Sequence, residues 1–178
     1  MNIGLNRMCL NIANIGKDSI RFSSAGMPPA YYYSAEKGEL EEILVGALPL
    51  GSFKGAIHTE HEIAFKDRGD ILVMMSDGLP EAENSNNEMV GYDRTLDLIK
   101  TLSNKSAKEI KDGLVEMCVN WLGDTAELQD DMTFVIIKKK QKNGLMITLV
   151  VKLADTNGSG SCIIITFLVR LQRNSLPL

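Results

Sequence analysis

The feature that most constrains this chain is the segment ILVMMS, residues 71–76, which is followed at once by Asp77 and Gly78. Its apolar residues are consecutive and do not alternate with polar ones, which is typical of a strand that is buried on both faces. The pattern therefore predicts a central strand of a sheet. Asp-Gly is a good turn sequence and needs no further explanation, but a carboxylate in this place could also hold a metal ion.

A second apolar segment, MTFVIIK at residues 132–138, directly follows Asp130 and Asp131. If the two segments are antiparallel neighbours, Asp77 and Asp130 emerge at the same end of the sheet. Neighbouring strands lie about 4.8 Å apart, and paired metals in hydrolytic sites lie roughly 3.5–4 Å apart. Oxygen ligands favour Mg²⁺ or Mn²⁺ over Zn²⁺. The spacing thus permits a shared metal cluster, while the turn-forming alternative stays open.

The order of the other patterns indicates the fold class. Period-two alternation predicts strands, among them a hairpin near the N-terminus and a strand over residues 57–65, and helical periodicity predicts two amphipathic helices before the last buried strand. The second helix opens with Ser106 and Glu109, the spacing of a capping box. Runs of strands with segregated helices predict an α+β fold and not a doubly wound sheet.

Composition excludes several classes of partner. A net charge of −4 argues against nucleic acid, and no apolar run reaches the roughly 18 residues that cross a bilayer. Three widely separated cysteines suit reduced thiols in the cytoplasm and not a disulfide framework. His58 and His61 are three residues apart, and on a strand they would point to opposite faces, so a shared zinc ion is not expected. The oligomeric state is left open.

Residues 141–178 differ from the rest of the chain. Two short apolar runs, GLMITLVVKL and CIIITFLVRL, are separated by a polar segment that contains Asn157 and Gly158, a hairpin signal. The pattern predicts either an extra hairpin or a disordered tail. The chain is therefore divided into a domain at residues 1–140 and this apolar tail.

Four segments occur in an order and at spacings that resemble the SpoIIE-type serine phosphatases, bacterial members of the metal-dependent phosphatase family related to protein phosphatase 2C. They are FSSAGMPPAYYY, LPLG, GDILVMMSDGLPEAENSNNEMVGYDR and QDDMTFVIIK. The resemblance runs from about Met8 to Lys138. It implies an α-β-β-α sandwich, here truncated, with a binuclear manganese or magnesium site at one end.

The resemblance also assigns roles to individual residues. Asp77 occupies the position of a metal ligand in the (S/T)DG motif, and Asp130 occupies that of another in the DD-x-T motif, with Asp131 in a supporting position. Met27 stands where family members often have histidine, a departure expected to matter little. The implied reaction is direct hydrolysis by metal-activated water, with no covalent intermediate. The implied substrate is a phosphoserine on a bacterial regulatory protein, such as an anti-sigma-factor antagonist.

One departure is larger. The family carries an earlier acidic "GD" motif that completes its metal cluster, and no aspartate before residue 70 lies in such a context: Asp18 is in a turn and Asp67 is in KDRGD. The expectation is therefore a phosphatase domain whose activity is impaired by the missing motif. The alternatives are a non-catalytic interaction module of the same fold and a fragmentary gene product.

Overall fold

The computed structural model describes residues 7–123, 128, 130–141, 144–152 and 164–171. In these residues the chain forms nine strands and two helices, so the α+β class is confirmed. From the N-terminus they are β1 (Met8–Ile15), β2 (Ser19–Ala25), β3 (Ala30–Ser34), β4 (Glu39–Ile43), β5 (His61–Ala64), β6 (Ile71–Met75), α1 (Tyr92–Thr101), α2 (Ala107–Leu122), β7 (Met132–Gln141), β8 (Gly144–Lys152) and β9 (Ile164–Leu171). They belong to two compact units.

The first unit contains a four-stranded sheet in the order β5-β2-β1-β9. β1 and β2 form the predicted hairpin, with Ile15 opposite Ile20. Alternation decides which side chains are buried, and one face of β1 buries Asn11, Ala13 and Ile15. The amide nitrogen and oxygen of the Asn11 side chain have no hydrogen-bond partner in the described residues, so the apolar alternation of this strand includes one polar exception.

The strand predicted over residues 57–65 is shorter than expected. β5 begins only at His61, and the side chain of Ile57 is 84% exposed. His58 lies before the strand, where its Nε2 is 3.0 Å from the carbonyl oxygen of Leu48. The predicted start of the strand was wrong, because polar and apolar residues can alternate by chance in an exposed segment that pairs with no neighbouring strand.

The second unit contains a five-stranded sheet in the order β4-β3-β6-β7-β8, together with both helices. β6 is the central strand, as its sequence predicts, and all five of its residues are fully buried. Alternate residues of β6 and β7 join the helices in one core, because side chains two apart share a face. That core includes Ile71, Val73 and Met75 from β6, Phe134 and Ile136 from β7, Ile99 from α1, and Ile110, Leu114 and Cys118 from α2.

The second helix, α2, begins where the sequence places its capping box. The backbone N–H of Glu109 donates to Ser106 Oγ (3.2 Å), and the backbone N–H of Ser106 donates to Glu109 Oε2 (2.8 Å), so the capping box is confirmed. Gly123, with φ 63°, ends α2. Neither helix is long and apolar enough to cross a membrane, within the part of the chain that the structure describes.

The two apolar runs of the tail lie in different sheets. β8 pairs antiparallel with β7, and β9 pairs parallel with β1, with Met8 opposite Ile164. The expectation of a hairpin between the two runs is therefore corrected: each run extends a sheet of the preceding residues. Asn157 and Gly158, which suggested the hairpin, lie outside the described residues.

Burial also makes the second unit sensitive to alkaline pH. Desolvation, reinforced by the Glu42 carboxylate opposite it on β4 and by Tyr92, raises the pKa of Tyr31 from 10.0 to about 12. Tyr32 is raised to about 12 as well, by desolvation and then by Asp70. The unfolded chain loses these protons near pH 10 while the folded chain keeps them, so the free energy of unfolding should fall as the pH rises from 10 towards 12.

Chemical unfolding followed by circular dichroism between pH 8 and pH 12 measures this effect. The Tyr31→Phe variant should lose less stability over the same interval, since one titrating group is gone. An equal loss in the variant and the parent chain would show that Tyr31 does not contribute.

Candidate metal site

The strand pairing brings the two candidate ligands to one edge of the second unit's sheet. β6 and β7 are antiparallel, and Met75, the last residue of β6, is opposite Phe134 near the start of β7. Asp77 follows the first strand by two residues and Asp130 precedes the second by two. The antiparallel arrangement on which the sequence argument depended is therefore present.

The side chain of Ser76 joins the two segments that carry these aspartates. Its hydroxyl donates to the carbonyl oxygen of Asp131 (2.9 Å) and accepts from the backbone N–H of Thr133 (3.0 Å). The backbone N–H of Ser76 donates to the carbonyl oxygen of Thr133 (3.0 Å). Ser76 is only 1% exposed. Buried hydrogen bonds of this kind are costly to break, so the segment before Asp77 and the segment after Asp130 hold one position relative to each other.

Gly78 shows how closely the two backbones approach. A Cβ atom built on Gly78 would lie 2.9 Å from the carbonyl carbon of Asp131 and 3.3 Å from the carbonyl oxygen of Asp130, and closer still to the Asp131 oxygen. Real Cβ atoms essentially never come within 3.0 Å of such an atom. Only glycine therefore fits between Asp77 and the Asp130-Asp131 backbone in this arrangement.

The aspartates themselves differ in exposure. Asp77 is half-buried, and its carbonyl oxygen accepts from the backbone N–H of Glu81 (2.9 Å). Asp130 is exposed, and its Oδ1 accepts from the backbone N–H of Asp131 (2.6 Å). That local hydrogen bond engages one of its two carboxylate oxygens.

A tyrosine near Asp77 reports the negative charge of this edge. The pKa of Tyr92 is raised, first by burial and then by the carboxylates of Asp77, Glu81 and Glu42. A phenol that is harder to ionise is the expected neighbour of several negative charges, because a second anion there is repelled. The same carboxylates would attract a divalent cation at this edge.

The carboxylate oxygens of Asp77 and Asp130 are the type of donor that a hard divalent ion prefers. Carboxylate oxygens suit Mg²⁺ and Mn²⁺, and magnesium is typically held by one or two carboxylates together with waters and substrate phosphate oxygens. Within the described residues, no group of three or more histidine, cysteine, aspartate or glutamate side chains could hold a metal ion, and His58 and His61 belong to no such group. Asp77 and Asp130 thus offer donors of the kind that a metal site would use, and a two-ion centre would need further acidic ligands.

Sequence reasoning missed three residues that shape this edge. It treated Ser76 as the end of a strand, Gly78 as a turn former and Thr133 as part of a strand, whereas Ser76 and Thr133 form the hydrogen bonds between the segments and Gly78 fills the narrow gap. The sequence did point to these residues, because Ser76 and Gly78 belong to the (S/T)DG motif and Thr133 belongs to the DD-x-T motif.

Comparisons with known proteins found a family model and a curated relative that match this chain. The family model of stage II sporulation protein E (SpoIIE) matches residues 6–140. The phosphoserine phosphatase RsbU of Bacillus subtilis (strain 168) is 25% identical over 134 residues, which cover 71% of this chain and 37% of that protein. The chain therefore spans little more than a third of this curated relative.

Solved structures share the fold. The phosphatase domain of the cell fate determinant SpoIIE from Bacillus subtilis, presoaked with manganese, has 21% identity and a TM-score of 0.56, covering 74% of this chain and 56% of that one. The SiaA-PP2C domain of Pseudomonas aeruginosa has 18% identity and a TM-score of 0.57, and the match covers 68% of this chain and 47% of that one. The structure of the RsbU and RsbW domains of Rv1364c from Mycobacterium tuberculosis has 21% identity and a TM-score of 0.56, and the match covers 70% of this chain and 34% of that one. The phosphatase type of α+β fold expected from the sequence is thereby confirmed.

Proposed function

The chain belongs to the SpoIIE family, and on that premise we propose that it serves the metal-dependent hydrolysis of phosphoserine on a protein. The name of the curated relative, a phosphoserine phosphatase, supports the reaction and the phosphorylated residue. The reaction class is that of a hydrolase acting on a phosphate monoester.

The observation that carries this proposal is the edge where β6 ends and β7 begins. Asp77 and Asp130 would hold Mn²⁺ or Mg²⁺ there, since both offer the carboxylate oxygens that these ions prefer. When bound, the metal would lower the pKa of a coordinated water towards neutrality and offset negative charge on the phosphoryl group. Ser76 and Thr133 keep the two aspartates in position through buried hydrogen bonds, and Gly78 lets the segments approach.

The proposed substrate class is supported by the relatives alone. RsbU is named for its action on phosphoserine, and in one solved relative RsbU and RsbW domains occur together. Both support a phosphorylated regulatory protein as the partner, and we propose a cytoplasmic protein of the anti-sigma-factor antagonist type. Substrate phosphate oxygens would complete the coordination that two carboxylates leave open.

A titration of manganese into the full chain, followed by a hydrolysis assay, tests the function. We expect saturable Mn²⁺ binding by calorimetry that EDTA abolishes, because two carboxylates at one edge attract a divalent ion. Hydrolysis of para-nitrophenyl phosphate should be slow with this chain, since a two-ion centre needs more acidic ligands than the described residues bring together.

The control is a longer chain that includes an upstream segment with the acidic "GD" motif, which should hydrolyse the ester rapidly with manganese. A chain that gives no specific heat with Mn²⁺ would contradict the proposal and would favour a non-catalytic binding module. Strong metal-dependent hydrolysis by the short chain would instead show that the ligands described here are sufficient.

A further inference from the structure

A cavity of about 420 Å³ lies in the second unit, at the end of β6 and β7 opposite to the aspartate edge. It is bounded by the turn before β6, the end of β7 and the loop between α1 and α2. The described residues that line it include no aspartate or glutamate, and five of them are cationic: Arg68, Lys105, Lys138, Lys139 and Lys140. A cationic lining of this kind favours anions over cations.

The strand geometry concentrates the cations. Lys138 continues the face of β7 that packs against the helices, and Lys140, at an irregularity in the pairing of β7 with β8, lines the same cavity. The backbone N–H of Gly69 donates to the carbonyl oxygen of Lys139 (2.9 Å), which holds the turn with Arg68 against the same strand. This backbone hydrogen bond therefore fixes the turn that carries Arg68 next to the strand that carries the lysines.

Lys138 is a half-buried cation of this lining. Its ammonium donates to the carbonyl oxygens of Ser103 and Lys105, both neutral acceptors in the α1–α2 loop. An ammonium has three N–H donors, so a third remains for a further acceptor. Burial lowers the pKa of Lys138 against the opposing effect of Glu109, and the carboxylate of Glu109 is itself engaged by the backbone N–H of Ser106.

The cationic lining and the partly buried ammonium of Lys138 both point to an anion. A partly buried ammonium whose two hydrogen-bond acceptors are neutral is destabilised relative to an ammonium in water. An oxyanion in the cavity would reduce this penalty through charge-assisted hydrogen bonds. The hydroxyl and amide side chains of Ser103 and Asn104 add neutral donors to the lining.

We propose that this cavity binds the phosphate group of a small phosphate ester. Its volume falls in the range of small-molecule sites, roughly 300–1,000 Å³, and exceeds what a phosphate ion alone would fill. The ring of Tyr33, also in the lining, offers an apolar surface for the rest of the ester. The five residues of β6 separate this cavity from the aspartate edge by about 17 Å, so the two positions are distinct.

Calorimetric titration of the full chain with adenosine 5′-monophosphate tests the proposal, with inorganic phosphate and adenosine as comparison probes. EDTA is present throughout, so that no metal at Asp77 and Asp130 can bind phosphate. We expect saturable binding of the monophosphate, weaker binding of inorganic phosphate and none of adenosine, because the phosphate supplies the charge and the ester body supplies added contact.

Variants locate the binding. Arg68→Gln and Lys140→Gln remove exposed cations of the lining and should each weaken binding about tenfold, the effect of one charge-assisted hydrogen bond. Lys54→Gln, an exposed lysine outside the lining, should bind as the parent chain does. Lys138→Met should abolish binding, with circular dichroism as the check on folding because its ammonium also joins the α1–α2 loop.

Two results would overturn the proposal: no saturable binding of the monophosphate, or unchanged binding by the Arg68→Gln/Lys140→Gln double variant. Because the titration contains no divalent metal, its failure leaves the manganese titration unaffected, and the failure of manganese binding leaves this result unaffected.

Discussion

Asp77→Asn and Asp130→Asn should each lower manganese affinity, and metal-dependent hydrolysis by a longer catalytically competent chain, by at least about 100-fold, since even indirect partners of metal ligands contribute 10–100-fold. Asparagine keeps the size of aspartate but removes the negative charge that a hard cation requires. The substitution should leave the backbone hydrogen bond from Glu81 to Asp77 intact. The fold should therefore persist while the metal affinity is lost.

Calorimetry with Mn²⁺ and the hydrolysis assay measure both effects, and circular dichroism confirms folding. Asp97→Asn is the matched control, because Asp97 is an exposed aspartate on α1 of the same unit. It should change neither metal affinity nor rate. If either aspartate variant at the strand edge bound manganese as tightly as the parent chain, that aspartate would not be a ligand.

Gly78→Ala should destabilise the chain by about 1–3 kcal/mol, the usual cost of forcing an extra methyl group into a packed position. The added Cβ would meet the backbone of Asp131, which cannot rotate aside as the end of a flexible side chain could. Relief requires the segments of Asp77 and Asp130 to separate. The variant should therefore also lose manganese affinity, although no proposed ligand has been replaced.

Denaturant unfolding at pH 7 measures the change in the free energy of unfolding. Gly46→Ala provides the comparison, because a Cβ on Gly46 has no atom within 4 Å. That variant should stay within about 1 kcal/mol of the parent chain, with a slight gain in stability allowed by the smaller entropy of the unfolded alanine. Equal stability of the Gly78 and Gly46 variants would show that the two segments can move apart without cost.

The parts of the fold that sequence predicted well are those set by local chemistry. Consecutive apolar residues identified β6 as a central strand, and the serine and glutamate three residues apart located the start of α2. The antiparallel pairing of β6 with β7 was a condition of the sequence argument, and the structure meets that condition. With that pairing, the common edge of Asp77 and Asp130 was predictable.

The parts that sequence did not predict depend on contacts between distant residues. β9 pairs in parallel with β1, about as far away in sequence as the chain allows, and no local pattern encodes that register. The strand expected from Ile57 begins at His61, because partners and not alternation decide where a strand starts. The basic cavity was equally hidden, since Arg68, Lys105 and Lys138 meet only after the sheet and the helices have packed.

β4 is the outermost strand of its sheet, and this position affects how two molecules meet in a concentrated solution. Its outer edge offers backbone groups to any passing strand, but Glu39, Glu41 and Glu42 are all exposed on it, with Glu41 paired to Lys37. When two molecules approach through the outer edge of β4, each presents the same negative charges, and like charges directly opposite one another oppose the pairing of the two strands. This edge of the sheet therefore resists fibril-like stacking of one molecule on another.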